Sequence, residues 1–284
     1  MIVVFGATGT IGTPLITALL AKGIDLRAVT SNTSRVAALE AQDCEAVVAD
    51  FEDPAALARA CKGAQKAFLV TPAHQGMRRW KANVIRAAAD AGVHHMAMST
   101  GLGASPKARL TFGIWHSDSQ ELLKESGMGW TLIQPTYFMQ NLLWQADSIA
   151  TENTYRDDLG GSVSWVDTRD IADVSAEALT GEGHLGKTYG LTGKEALSGG
   201  DIAMLLQQTL GRDITCRAVA PAETRAKMIL SGISDEVADA MTELAGLAPK
   251  GHLSGTKTTV QDVLGRPARR FADFIAENAA EFSG

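Results

Sequence analysis

The feature that most restricts this chain is its first twelve residues, where a short apolar run, Met1-Ile2-Val3-Val4-Phe5, meets Gly6-Ala7-Thr8-Gly9-Thr10-Ile11-Gly12. β-Branched and aromatic residues favour a buried strand, and a helical pattern follows at once from Thr13 to Lys22. Strand, glycine-spaced turn and helix in that order make a dinucleotide-binding fingerprint. Gly6 permits the tight turn, Gly9 lets the backbone approach a pyrophosphate, and Gly12 lets the helix pack closely on the strand. The exposed amides and positive dipole end of that helix then face the phosphates. A chain that begins this way is committed to an α/β fold.

Strand and helix go on alternating. Strands are predicted at Ile24 to Thr30, Glu45 to Ala49, Lys66 to Val70, Val93 to Ser99 and Trp130 to Gln134. Between them, helices are predicted at Ser34 to Gln42, at Pro54 to Cys61 with Asp53 as N-cap, at Met77 to Ala91 and at Trp115 to Glu125. Short loops and strands apolar on both faces imply a doubly wound parallel sheet, a Rossmann fold with right-handed crossovers.

After Pro135 the rhythm changes. Tyr137 to Ile149 reads as an apolar helix, followed by a polar loop through Gly160-Gly161. Ser162 to Val166 and Lys187 to Leu191 read as strands flanking a helix from Arg169 to Leu179. A helix from Leu197 to Leu210 and a strand from Ile214 to Val219 precede a helical tail: Pro221 to Leu230, Ser234 to Ala245 and Ala268 to Phe282. Residues 1–150 therefore read as an NAD(P)-binding domain. Residues 151–284 read as a smaller, mostly helical region that completes the sheet and caps a substrate pocket at its carboxyl edge, where ligands of open α/β sheets bind.

Composition closes off other classes. A net charge of −6 over 284 residues gives no footprint for nucleic acid. No apolar run approaches the roughly 18 residues of a membrane span, and with the first residue already in a strand no secretory leader is expected. Cys44, Cys61 and Cys216 are odd in number and lack metal or redox spacing, as suits small residues in a reducing cytoplasm. His94 and His95 point to opposite faces of one strand, and His74, His184 and His252 lack ligand spacing. Asp167, Asp170 and Asp173 lie at a helix start, where acids complement the dipole. No metal, membrane or nucleic-acid partner is expected. Monomer and homodimer both stay open.

The end of the second strand bears on the choice of nucleotide. An NAD-preferring sheet places an acid about 20 residues after the glycine turn, for the ribose 2′-hydroxyl. This chain reads Val29-Thr30-Ser31-Asn32-Thr33-Ser34-Arg35 there, without a carboxylate. Ser31 and Asn32 can donate to a 2′-phosphate and Arg35 can neutralise it, unless Arg35 is only surface charge. NADPH is favoured over NADH.

Taken together the motifs resemble a known family. Gly6 to Gly12 resembles the fingerprint of the atypical and extended short-chain dehydrogenase/reductases. Gln134-Pro135-Thr136-Tyr137-Phe138-Met139-Gln140-Asn141-Leu142-Leu143, Asp167-Thr168-Arg169-Asp170-Ile171-Ala172 and Gly186-Lys187-Thr188-Tyr189 resemble segments of its NmrA-like branch. Within that branch the chain resembles NADPH-dependent quinone oxidoreductases and triphenylmethane-dye reductases. The resemblance implies a cofactor cleft lined by Gly6, Thr8, Gly9, Thr10, Ile11, Gly12 and Arg35, by Asp50 and Phe51 near the adenine, and by Thr71 and Pro72. Ser99 and Thr100 would lie beside the nicotinamide. Asp50 reads equally as a loop cap.

One departure matters. The carbonyl-reducing members carry a Tyr-x-x-x-Lys pair, whose lysine readies the tyrosine to give a proton. None of Tyr137, Tyr155 or Tyr189 has a lysine four residues on, and the corresponding helix reads Trp115-His116-Ser117-Asp118. The expected acceptor is therefore already electrophilic, a quinone or cationic dye that needs mainly orientation and exclusion of water. His116 and Tyr137 are the candidate catalytic residues, His116 as a proton donor or else as a helix histidine without a role. Phe138, Met139 and Asn141 are the candidate substrate contacts, though an apolar helix would equally bury the first two, and Asn141 would equally anchor it. A dinucleotide-binding redox sensor without turnover is the alternative function.

Overall fold

The structure is a computed structural model and describes residues 1–283. β1 (Ile2–Phe5) leads through the glycine turn into α1 (Gly12–Ala21), then β2 (Leu26–Thr30), a 3₁₀ turn at Thr33–Arg35 and α2 (Val36–Glu40). β3 (Glu45–Val48), α3 (Pro54–Cys61), β4 (Lys66–Leu69), α4 (Met77–Asp90), β5 (His95–Ser99), α5 (Thr111–Glu125) and β6 (Gly129–Pro135) continue the alternation. The predicted cap of α3 is formed: Asp53 Oδ1 accepts from the amides of Ala55 (2.9 Å) and Ala56 (3.0 Å), with Pro54 at the first helical position. Both groups are ones that a helix start leaves unsatisfied.

After β6 come a 3₁₀ segment (Met139–Gln145), α6 (Ala146–Glu152), β7 (Thr154–Asp157), α7 (Thr168–Thr180) and β8 (Lys187–Leu191). α8 (Gly199–Leu210), β9 (Thr215–Ala218), α9 (Pro221–Leu230), α10 (Asp235–Ala245), α11 (Thr259–Leu264) and α12 (Phe271–Glu277) complete the order. Seven strands form one sheet in the order β3-β2-β1-β4-β5-β6-β8. The pairs from β3 to β6 run parallel, with Val4 of β1 opposite both Ala28 and Phe68. The chain builds outward from β1 to β3, then returns to the far side of β1 with β4. The carboxyl ends of β1 and β4 are thus the switch point, where a doubly wound sheet binds its ligand.

The chain divides into two compact units, and they interleave. One holds Met1–Pro135 and Ile171–Gly190; the other holds Thr136–Asp170 and Leu191–Gly284. The dividing point thus falls at Pro135 and not near residue 150, and α7 with β8 returns the chain to the first unit. That unit is cored by Val3, Phe5, Leu57, Leu69, Ile85, Met96, Met98 and Leu132. Each such side chain contributes roughly 1.5–3 kcal/mol relative to exposure. The second unit has its own core, including Ile149, Tyr155, Trp165, Leu206, Phe271 and Phe282.

Four expectations beyond Pro135 need correction. Tyr137 to Ile149 is not one α-helix: the amide of Val166 bonds the carbonyl of Tyr137, Met139 returns the bond, and α-helix begins only at Ala146. Ser162 to Val166 is not a strand, because Val163 bridges Leu197 whereas Val166 bridges Phe138. Two partners pull the segment apart before a ladder can extend. The polar loop contains β7, which pairs parallel with β9, Tyr155 opposite Cys216. The tail helix from Ala268 is α12 followed by a 3₁₀ turn, and α11 precedes it. Among the described residues no helix is long and apolar enough to cross a membrane, and no three His, Cys, Asp or Glu side chains cluster to hold a metal.

Candidate functional site

The glycine turn has the geometry that its spacing predicts. Gly6 sits at φ +81°, and a Cβ there would lie 2.6 Å from Val70 of the neighbouring strand exit. A Cβ on Gly12 would lie 2.0 Å from the Gly6 carbonyl oxygen. At Gly9 a Cβ would lie 3.3 Å from the same Gly6 carbonyl oxygen, a tight contact but a far milder one than at Gly6 or Gly12, and its other side faces the space that a ligand would enter. Thr8, Gly9 and Thr10 form the exposed crest, whereas Ile11 and Gly12 are buried. Among the described residues the amides of Thr10, Ile11 and Gly12 have no carbonyl partner. Three open amides at a helix start, in a cradle that a side chain would fill, fit a pyrophosphate.

Ser31, Asn32 and Arg35 are all exposed beyond β2. Asn32 Oδ1 caps the 3₁₀ turn, accepting from the amide (2.9 Å) and hydroxyl (2.7 Å) of Ser34. That leaves its amide nitrogen to donate. Arg35 has no acidic partner among the described residues. With Ala7, Thr8, Thr13 and Leu39 it lines a cavity of about 130 Å³ beside the glycine turn. An unpaired guanidinium bordering the turn suits a phosphate better than a structural role.

The exits of β3 and β4 are mixed. Asp50 is an exposed loop cap, its Oδ1 accepting from the Glu52 amide at 2.8 Å. Phe51 stacks on Trp80 at 5.8 Å, and its carbonyl accepts from Asn83 Nδ2. Thr71 Oγ1 is buried without a hydrogen-bond partner. Buried hydroxyls are seldom left so, and the fit to a bound polar group is direct. Pro72 beside it is exposed.

At the exit of β5 the sequence reading missed the central residue. Lys81, on α4, is 1% exposed; its Nζ donates to the Ser99 carbonyl at 3.0 Å and lies 3.2 Å from His116 Nδ1. Burial lowers the Lys81 pKa to about 7. Burial, and then the Lys81 charge, hold His116 well below the ordinary histidine value, so its imidazole is neutral. The ring lies over Gly101, where a Cβ would be 3.0 Å from Cδ2 and 3.3 Å from Nε2. One turn along α5, Gln120 Nε2 donates to Thr100 Oγ1 at 3.0 Å. Ser99 and Thr100 are both buried and held from behind. A signal for Lys81 was present: it occupies the apolar stripe of Met77, Val84, Ile85 and Ala88, where a charge has no structural reason to be.

Tyr137, Phe138, Met139 and Asn141 lie in the second unit. Burial, and then Asp158, push the Tyr137 hydroxyl far above the ordinary tyrosine value, so it holds its proton firmly. Its ring meets Trp165 edge-on at 5.6 Å. Met139 is 2% exposed, in the unit's core. Phe138 and Asn141 are half-buried. The polar anchor of this segment is Gln140 and not Asn141: its Nε2 donates to Asp167 Oδ1 (2.9 Å), and its Oε1 accepts from the Thr168 amide (3.1 Å). Asp167 also takes the Arg169 amide at 2.8 Å, the capping role expected of it.

A family model described as NAD(P)H-binding matches residues 6–182. The chain is similar to NAD(P)H azoreductase of Xenophilus azovorans, 40% identical over 283 residues that cover 99% of each protein. It is also similar to the NADPH-dependent quinone oxidoreductase of Escherichia coli solved with NADPH. There the identity is 28% and the TM-score 0.86, with 98% of this chain and 99% of that one covered. Its fold is shared by Citrobacter sp. triphenylmethane reductase complexed with NADP(H), at 23% identity and a TM-score of 0.85, with 98% and 99% covered.

Proposed function

This chain belongs to the NAD(P)H-binding family and is an NAD(P)H-dependent oxidoreductase, and we propose that it delivers hydride from NADPH to a flat electrophilic acceptor, a quinone or dye. The observation that carries the reading is the glycine cradle at the switch point, with three unpartnered amides and a free Arg35 at its rim. In this reading Gly6, Gly9 and Gly12, with the amides of Thr10 and Ile11, hold the pyrophosphate. Arg35, Ser31 and the Asn32 amide nitrogen hold a 2′-phosphate; Asp50 and Phe51 border the adenine, with Thr8, Thr71 and Pro72 along the cleft. Ser99 and Thr100, fixed by Lys81 and Gln120, form the wall beside the nicotinamide. When bound, the reduced nicotinamide supplies the hydride.

His116 gives the acceptor its proton from Nε2, the ring nitrogen on the Gly101 side. Tyr137 does not share that task, since its buried hydroxyl holds its proton too firmly. Phe138 and Asn141, half-buried, are proposed as contacts for the acceptor, whereas Met139 is a core residue. Cys44, Cys61 and Cys216 are unpaired, which supports a reducing cytoplasm as the working compartment. The test mixes purified protein with NADPH and a panel of quinones, azo and cationic dyes, and activated alkenes. Loss of reduced-nicotinamide absorbance with a quinone or dye supports the reading. Tight binding of NADPH with no turnover across the panel overturns it in favour of a redox sensor.

A further inference from the structure

Lys81 is the one fully buried charged side chain of α4, and it has an unusual partner. Buried ammonium groups ordinarily meet a carboxylate. Among the described residues none lies within ion-pair distance of Lys81; Asp118 of α5 pairs with a different residue of α4, Arg78, at the surface (2.5 Å). Nζ instead meets the Ser99 carbonyl and His116 Nδ1. An ammonium has three donors and no acceptor, so a charged Lys81 must donate to Nδ1. The ring hydrogen is then on Nε2, which has no hydrogen-bond partner among the described residues and lies on the side of Gly101, at the exit of β5.

Resting on the function proposed above, we infer that Lys81 positions His116 in its Nε2–H tautomer and supplies the proton that the reduction consumes. The acceptor gains its hydride and both electrons as already described. Its second bond to hydrogen is made from His116: the Nε2–H bond breaks, a bond to the acceptor's oxygen or nitrogen forms, and Nδ1 takes a proton from Nζ. Lys81 ends neutral, and the imidazole ends neutral with its hydrogen on Nδ1. One proton taken up from bulk solvent resets the pair: it bonds to Nε2 as the Nδ1 proton returns to Nζ, which restores the ammonium and the neutral Nε2–H imidazole. No imidazolate is formed at any point, which a lone buried histidine could not avoid. An ammonium whose burial brings its pKa to about 7 gives up a proton near neutral pH, whereas an ordinary lysine would not.

The chemistry of the acceptor supplies the test. A quinone or an azo bond takes hydride and a proton, but a triarylmethyl cation becomes neutral on taking hydride alone. In Lys81→Met the ratio of azo-dye to triarylmethyl-dye turnover should fall by a factor on the order of 10–100. Wild-type protein free of cofactor should show His116 as the Nε2–H tautomer by isotope-edited NMR of the ring nitrogens, assigned by its loss in His116→Gln. In Lys81→Met the tautomers should mix. An unchanged turnover ratio, or an unchanged tautomer in Lys81→Met, overturns the role of Lys81. If wild-type protein oxidises NADPH with no quinone and no dye, the proposed function fails; whenever neither dye is turned over, the NMR comparison alone judges Lys81.

Discussion

Replacing Lys81 by Met should make this protein more stable at acid and neutral pH and less stable at alkaline pH. The unfolded chain holds the Lys81 proton up to its ordinary value of 10.5, but the fold holds it only to about 7. Below about 7 both states are protonated, and the native state bears the full cost of a buried ammonium. Between the two values the unfolded chain binds the additional proton, so stability climbs as pH rises through that window. The whole climb is on the order of 5 kcal/mol. Met fills a similar volume with no charge, but it strips the Ser99 carbonyl and His116 Nδ1 of their donor, at a cost of about 1–3 kcal/mol. The net gain near pH 6 is therefore about 2–4 kcal/mol, or roughly 4–16 °C in a melting experiment on a chain of this size. Near pH 10 the sign reverses, because only the lost hydrogen bonds remain. Urea denaturation of both proteins at a series of pH values measures the difference directly. Parallel stability curves, or a Met variant weaker than wild type at every pH, would refute the claim that Lys81 is charged and buried in the fold.

Four further variants have definite outcomes. Gly9→Ala should fold with a stability within about 1 kcal/mol of wild type yet lose NADPH affinity in calorimetry. Gly12→Ala, whose Cβ would lie 2.0 Å from the Gly6 carbonyl oxygen, should lose about 1–3 kcal/mol or more of stability as well. Arg35→Ala should weaken NADPH by roughly ten- to a hundredfold and NADH hardly at all; equal losses for both would remove its 2′-phosphate role. His95 donates from Nε2 to Thr131 Oγ1 (3.0 Å), whose own hydrogen goes to the His184 carbonyl. Burial first, then Lys66, lowers its pKa to about 4. Its contribution of about 3 kcal/mol is present above about 6.5 and lost as pH falls through about 4; His95→Gln should flatten that limb of the stability curve.

The first 135 residues were largely legible because each signal there is local. A capped proline at Asp53-Pro54, glycines at the turns and strands apolar on both faces leave one arrangement, the parallel sheet with its switch point beside Gly6. Beyond Pro135 the deciding interactions are distant in sequence. Thr154–Asp157 is a strand only because Thr215–Ala218 lies beside it, and its single buried residue, Tyr155, makes no alternating pattern. Ser162 to Val166 has strand composition, but its two ends bond to Leu197 and Phe138. Gly6, Gly9, Gly12 and Arg35 could be read off directly, since their chemistry needs only the turn and its rim. Lys81 and His116 come from different helices, 35 positions apart, and spacing alone cannot join them. What spacing did carry was the oddity of a lysine in the apolar stripe of α4, a discord between local pattern and charge of the kind that marks functional sites.

The central claim is that this chain moves hydride itself from the nicotinamide to an electrophilic acceptor. It is tested most directly with NADPH deuterated at the transferable C4 position and a triarylmethyl dye in ordinary water, the reduced dye being analysed by mass spectrometry. Deuterium on the central carbon of the dye is the predicted result, since hydride passes carbon to carbon without meeting solvent. A reduced dye that carries only solvent hydrogen, or a cofactor that binds and keeps its deuterium, would contradict it.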